Sequence, residues 1–407
     1  MIRTIFSGKL ASIFVFLLVL PALYGCTQAA PDVTPTTTTS PPQDPTVAPT
    51  ETAVSIPATA TSTTVADEAT IAPTETAIPT PSPEPGKLVF KEPLITHIYT
   101  ADPSAHVFED KLYIYPSHDL DHDNPESADG SQFDMEDYHV FSLEDMDSVP
   151  VDHGQVLHVD DVPWAEKQMW APDAAFKDGT YYFYFPAKDS EYLFRIGVAT
   201  SDSPAGPFTP QPEPIAGSFS IDPAVFVDDD GQAYMYFGGL WGGQLEKWQA
   251  GEFDANGTEP GPGEPALGPK VAKLSPDMLS FEGSVAEVSI VDEDGQPILA
   301  SDHKRRFFEA AWLHKYNDVY YLSYSTGDTH FIAYATGDNP LGPFVFQGYV
   351  LNPVLGWTNH HSIVEFQGNW YLFYHDSTLS GGVNYKRNVK VAELVHGEDG
   401  SIQTIDP

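Results

Sequence analysis

Five stretches of the chain repeat one pattern: "DPSAHVFEDKLYIY" from Asp102, "DAAFKDGTYYFYF" from Asp173, "DPAVFVDDDGQAYMYF" from Asp222, "EAAWLHKYNDVYYLSY" from Glu309 and "HHSIVEFQGNWYLFYH" from His360. Each has a polar head, a short strand of small apolar residues, a tight turn and an aromatic strand. No other feature limits the fold as strongly, because a repeated unit too small to bury its own apolar face must stack against its copies. Further strand pairs lie between the five, including the near-duplicates "IGVATSDSPAGPF" and "IAYATGDNPLGPF". The turns are Asp-Gly, Asn-Asp and Gly-Asn, the strands alternate, and helical periodicity is almost absent. Aromatic content of 13%, with 20 Tyr and 24 Phe, suits pleated surfaces and equally suits clefts that stack on sugars. A unit of about four short strands recurring radially is a β-propeller blade. The predicted fold is all-β, a five-bladed β-propeller preceded by a signal peptide and a disordered linker.

The first 86 residues read differently from the rest. Arg3 and Lys9 precede the apolar run "LASIFVFLLVL", which ends in "PALYGC", the layout of a secretory signal too short for a comfortable membrane span. Cys26 is the only cysteine in the chain, so it has no intramolecular disulfide partner. Leu23 to Cys26 resembles the bacterial lipoprotein box, which implies cleavage before Cys26, lipidation of its thiol and anchoring at the cell surface. The Thr/Pro-rich stretch that follows has almost no aromatic residue and cannot bury a core. The expected organisation is therefore signal peptide 1–25, lipidated Cys26 with a disordered stalk over 26–86, and one propeller domain over 87–407.

Propeller geometry gives the polar heads a meaning. The innermost strands line a central channel, so equivalent strand starts converge on one end of its axis. The converging set is Asp102, Asp173, Asp222, Glu309 and His360 with His361. Crowded carboxylates repel one another, and keeping them together costs stability unless function or a ligand compensates. Asp-Pro is also a common turn opener, but "FFEAAWLH" sets Glu309 inside an apolar strand with no turn chemistry nearby. The formal charge of -39, from 58 Asp+Glu against 19 Lys+Arg, argues against nucleic acid or anionic lipid as a partner and in favour of a neutral or cationic ligand.

The segments "YTADPSAHV", "MWAPDAAFKDGTYYFYF", "SIDPAVFVDDDGQAYMYF", "FFEAAWLHKYNDVYYLSYS" and "TNHHSIVEFQGNWYLFYH" together resemble the blade openings of glycoside hydrolase family 43. The resemblance implies a propeller that cleaves arabinose- or xylose-containing plant polysaccharides with inversion at the anomeric carbon. It makes Asp102 the general base, Glu309 the general acid, and Asp222 the aspartate that tunes and orients the acid. The flanking Phe307, Phe308, Ala310 and Ala311 disfavour the charged form of Glu309, in keeping with that division. By the same resemblance Trp170 packs on a pentose and Arg387 holds sugar hydroxyls or the acid network, while Asp173, heading the second blade, is expected to line the pocket floor. His360 matches a histidine that holds calcium in the channel, largely through waters. His361 stands where many relatives carry glycine, and is expected to narrow the channel. No organic cofactor is implied.

Two further motifs yield to plainer readings. "SHDLDHD" spaces Asp119, Asp121 and Asp123 like the start of a calcium-binding hand but lacks its glycine and closing glutamate. A rim loop is expected there, with His118 reaching the pocket. "KRRFF" is expected to supply a local counter-charge to the carboxylate cluster. The functional expectation is a monomeric, surface-anchored α-L-arabinofuranosidase or β-xylosidase, touching the membrane only through Cys26. Endo-arabinanase action or a non-catalytic glycan-binding propeller are the alternatives.

Overall fold

The computed structural model describes residues 90–127 and 129–407, so the signal, Cys26 and stalk expectations lie outside the described residues. Alternating strands and tight turns form antiparallel meanders. Blade 1 contains β1 (Tyr99–Phe108), β2 (Lys111–Asp119), β3 (Asp137–Leu143) and β4 (Val151–His158). Blade 2 contains β5 (Asp173–Lys177), β6 (Thr180–Lys188), β7 (Phe194–Ser201) and β8 (Thr209–Pro210). In blade 3 these are β9 (Ala224–Val227), β10 (Ala233–Phe237), β11 (Lys270–Leu274) and β12 (Phe281–Glu287). A short strand β13 (Ile290–Val291) then adds in parallel to the outer edge of blade 4, which comprises β14 (Glu309–Tyr316), β15 (Val319–Ser325), β16 (Ile332–Gly337) and β17 (Phe344–Leu351). Blade 5 has β18 (His361–Phe366), β19 (Asn369–Asp376) and β20 (Asn388–Leu394). The first strands of neighbouring blades contact one another in a closed circle, as the predicted five-bladed propeller requires.

Blade 5 is completed from the other end of the domain. The segment leading into β1 lies along β20, with Lys91 N–H donating to Val391 O at 2.8 Å and Leu94 N–H to Val389 O at 2.8 Å, and at the start of β1 Thr100 N–H donates to Arg387 O, just ahead of β20, at 3.0 Å. Closing a ring in this way leaves no seam between its first and last units.

The core lies between blades, because each sheet buries both faces against its neighbours. Tyr115 and Tyr138 meet Phe183 and Phe185 between blades 1 and 2, and Ile114 and Phe141 meet Phe373 and Val391 between blades 1 and 5. One tyrosine recurs at the same place in the second strand of every repeat: Tyr115, Tyr184, Tyr236, Tyr324 and Tyr374 are all fully buried. Three of them bolt successive blades together. The Tyr115 hydroxyl donates to Pro204 O at 2.7 Å, that of Tyr184 to Met278 O at 2.9 Å, and that of Tyr236 to Pro340 O. Pro204 and Pro340 sit in the near-duplicate turns "SDSPAGPF" and "GDNPLGPF", so those duplicates serve as sockets for the preceding blade. Tyr324 bonds Arg305 O instead, and the Tyr374 hydroxyl has no hydrogen-bond partner among the described residues.

Candidate active site

Strand heads make the site, but only where the backbone breaks its own regularity. The β1–β2 pairing slips between Ala101 and Ser104, and Asp102 occupies this bulge with φ 49°. The β14–β15 pairing slips between Glu309 and Trp312, with Ala310 at φ 60°. Asp222, ahead of β9, has φ 58°. A non-glycine residue in this left-handed region costs energy, and bulges commonly re-aim side chains beside active sites. Asp102, Asp222 and Glu309 all line one cavity of about 560 Å3.

Asp102 is tightly held. Ser117 Oγ donates to its Oδ2 at 2.5 Å, Arg387 Nη1 to its Oδ1 at 3.1 Å, and His375 Nδ1 lies 3.2 Å from the same Oδ1. Burial alone would raise its pKa, but the neighbouring Arg387 charge, with His375 and His360 close by, outweighs burial and holds the carboxyl well below the usual carboxylate range, while His375 Nδ1 accepts the Asp102 backbone N–H at 3.0 Å. Arg387 is itself fixed by Asp119, which accepts from Nε at 2.9 Å, from Nη2 at 2.7 Å and from the Arg387 backbone N–H at 2.9 Å.

Glu309 has the opposite setting. Burial raises its pKa, the charge of Asp102 pushes the same way and Arg387 opposes them, leaving the carboxyl at about 8. Burial also raises Asp222, reinforced by Glu309 and Asp102, so this carboxyl pair retains a proton at neutral pH. Asp222 Oδ2 accepts the Ala310 N–H at 2.9 Å, pinning the bulge that aims Glu309. Gly239 is required beside it: a Cβ there would lie 2.6 Å from Ile221 Cδ1 and 3.2 Å from Glu309 Cβ.

The other expected residues divide. Trp170 lines the cavity, its indole N–H donating to Phe133 O at 2.7 Å and its ring packed on Phe194. Arg387 and His360 line it too. Asp173 does not: it is fully buried, accepting from Ser104 Oγ, from Val225 N–H and from His106 Nε2, the last at 2.7 Å. The expectation that it forms the pocket floor is corrected, because β5 begins in regular register with no bulge to turn the head outward. His118 is also absent from the cavity lining and bonds Asp137 at 2.6 Å. His361 bonds Ser323 Oγ in β15 at 2.6 Å rather than narrowing the channel. Arg306 of "KRRFF" is paired with Glu259 at 2.8 Å, so its partner is a loop carboxylate and not the acid cluster.

Trp241 and Trp357, which join Phe308 in the wall, carried no sequence signal. Trp241, Phe308 and Trp357 form an aromatic side of the cavity, with Trp241 4.9 Å from Phe308 and 5.6 Å from Trp357 between ring centroids. Trp241 is held by its indole N–H on Glu259 Oε1 at 2.5 Å, and Glu259 is in turn held by Arg306. On the rim, Asn384 Nδ2 donates to Glu126 Oε1 at 2.9 Å and Asn384 Oδ1 accepts the Trp357 N–H at 3.1 Å, tying loops of blades 1 and 5 together. His375, Asp119 and these rim contacts arise from residues distant in sequence and outside the repeated heads.

His360 is the residue through which a cation would be held. Its Nδ1 is 3.7 Å from Asp102 Oδ1 and 3.9 Å from Asp222 Oδ2, beyond hydrogen-bond range. Burial pushes its pKa down to about 4, so the imidazole is neutral. One neutral nitrogen beside two carboxylates fits a largely hydrated calcium, which prefers oxygen ligands.

A glycosyl hydrolases family 43 model matches residues 90–402. The chain is 63% identical over 318 residues to a xylosidase/arabinosidase 43A of Humicola insolens, covering 76% of this chain and 97% of that protein. A β-xylosidase/α-arabinofuranosidase from a compost microbial metagenome, solved with xylotriose in a calcium-free form, superposes with a TM-score of 0.78 at 64% identity over 79% of this chain and 99% of its own. A Xanthomonas citri enzyme complexed with xylose gives a TM-score of 0.75 at 56% identity over 78% of this chain and 93% of its own.

Proposed function

The chain belongs to glycosyl hydrolase family 43, and we propose that Asp102, Glu309 and Asp222 hydrolyse the bond to a terminal xylose or arabinose in that order of roles: base, acid and tuning residue. It is a glycoside hydrolase of the xylosidase/arabinosidase type. One observation carries the assignment of roles: carboxyls from separate blades share one cavity, where Asp102 is held ionised while the Asp222–Glu309 pair keeps a proton and Asp222 is occupied by the Ala310 N–H, leaving Glu309 as the acid. An inverting hydrolase needs that pair, a carboxylate to activate water on one face of the sugar and a carboxylic acid to protonate the leaving oxygen on the other. Arg387 secures the ionised state of Asp102, and Asp222 fixes the bulge carrying Glu309. Trp170 offers a sugar-packing edge. Trp241 and Trp357 offer an apolar wall for the remainder of the chain.

The tie between Glu126, Asn384 and Trp357 favours a pocket closed on one side, hence exo action, over the open groove that endo-arabinanase action needs. Incubating the protein with nitrophenyl xyloside, nitrophenyl arabinofuranoside, xylotriose and linear arabinan tests this: monosaccharide release is expected, with the inverted anomer appearing first by proton NMR. Glycan binding without hydrolysis of any of them would leave only the binding-propeller alternative. Calcium at His360 would add positive charge near Asp102 and Asp222, favouring their ionised forms. We also place the protein at the cell surface as a monomer lipidated on Cys26, which metabolic labelling with a fatty-acid analogue and its loss in Cys26→Ser would check.

A further inference from the structure

Blade 1 carries a cluster that the hydrolytic site does not use. His118 of β2 and Asp137 and His139 of β3 each offer a ligand atom, all within 4.8 Å of one another. Asp137 and His139 are two apart on a strand and so share a face. His118 Nδ1 is 2.6 Å from Asp137 Oδ1, and the His118 and His139 rings stand 5.2 Å apart at 65°. The three side chains are partly open to solvent, at 16%, 12% and 17% exposure, so an ion has a way in.

A further layer orients the cluster. His139 Nδ1 lies 3.2 Å from Asp152 Oδ1, while Asp152 Oδ2 lies 2.7 Å from His97 Nε2 and Oδ1 accepts the Gly154 N–H at 2.7 Å. A carboxylate on one imidazole nitrogen fixes the tautomer and turns the other nitrogen's lone pair outward, the arrangement that accompanies metal-ligating histidines. Hydrogen bonding alone explains the contact of His118 with Asp137, but leaves the convergence of a second, oriented imidazole on the same pair without a purpose.

We propose that His118, Asp137 and His139 bind a divalent transition-metal ion, zinc by chemistry. Two imidazoles and one carboxylate suit zinc, with water completing four-coordination; calcium would demand six or more oxygens. The position is distinct from His360 in the cavity. His118 directly precedes Asp119 on β2, so their side chains leave opposite faces of the strand, with Asp119 turned to Arg387. Zinc there cross-links β2 and β3 without touching the sugar cavity, and the proposal stands independently of the hydrolytic reading.

The test is a titration of chelator-stripped full-length protein with zinc chloride, followed by calorimetry and by competition with a chromogenic chelator. One ion per chain at micromolar or tighter affinity is expected, with a rise in melting temperature that EDTA reverses. His139→Ala should abolish this binding. Asp152→Asn, which keeps all three ligands but changes the contact that orients His139, should weaken it by about 10–100-fold. His360→Ala should leave it intact, and cobalt in place of zinc should give the visible absorption of a low-symmetry site. Absence of binding to folded protein, or binding equally strong in His139→Ala and His118→Ala, overturns the assignment.

Discussion

Asp102 and Asp173 head adjacent blades, are both buried, and both accept hydrogen bonds from a serine and approach a histidine, yet one faces the cavity and the other does not. The difference lies in the backbone. Asp102 sits in a bulge with φ 49°, whereas Asp173 starts a strand in unbroken register with β6. Asp173 spends both carboxylate oxygens on blades 1 and 3, through Ser104, His106 and Val225, and so acts as a bracket between three blades. Asp102 lines the cavity and is held ionised beside the Arg387 guanidinium. Side-chain type is therefore shared between the repeats, and the irregular strand start decides which acid lines the cavity.

Substitution separates the two most sharply. Asp102→Asn should lose about 10²–10⁴-fold in kcat and also lower the melting temperature, because it breaks the buried pair with Arg387, whereas Asp173→Asn should keep activity and lose about 1–3 kcal/mol of stability to a mispaired buried donor. Steady-state kinetics and chemical denaturation on the two variants check this; equal activity losses would erase the distinction. Glu309→Gln should lose a similar factor on xylotriose but much less on nitrophenyl xyloside, whose leaving group needs little protonation. In the parent protein the rate should fall as pH rises through about 8, because Glu309 acts while protonated and loses its proton there.

Arg387→Met removes the charge that opposes burial at Asp102. The pKa of Asp102 then rises, the base is neutralised at higher pH, and the acid limb of the pH–rate profile should move upward. A smaller effect is expected at the cavity wall. Glu259→Gln loosens Trp241 from Arg306 and should raise KM for xylotriose by up to about tenfold, the value of one charge-assisted hydrogen bond, while sparing nitrophenyl xyloside. The smallest contrast is among the repeated tyrosines. Tyr115→Phe should cost about 1 kcal/mol, and Tyr374→Phe, whose hydroxyl is unpaired, should be neutral or slightly stabilising in urea unfolding.

These contrasts mark how far the sequence could be read. The repeat length, the aromatic second strands and the polar heads specify the blade and its number, because they follow from the two-residue strand period and turn chemistry. They do not reveal which heads are bulged, since "DPSAH" and "DAAFK" look alike until pairing with the neighbouring strand is known. That is why both Asp102 and Asp173 read as cavity residues although only Asp102 lines the cavity. Partners supplied from afar were equally illegible: Asp119 reaches Arg387 across 268 residues, and His375 reaches Asp102 across 273. Nothing local in "SHDLDHD" distinguishes Asp119, which clamps an arginine, from Asp121 and Asp123, which pair with Lys386.

The strap from Lys91 to Thr100 has a practical consequence. It hides the backbone of β20, so truncated forms that start at Ala101 would present a bare edge of hydrogen-bonding groups to other copies. Such fragments should cluster into larger species even though every residue of the cavity is retained.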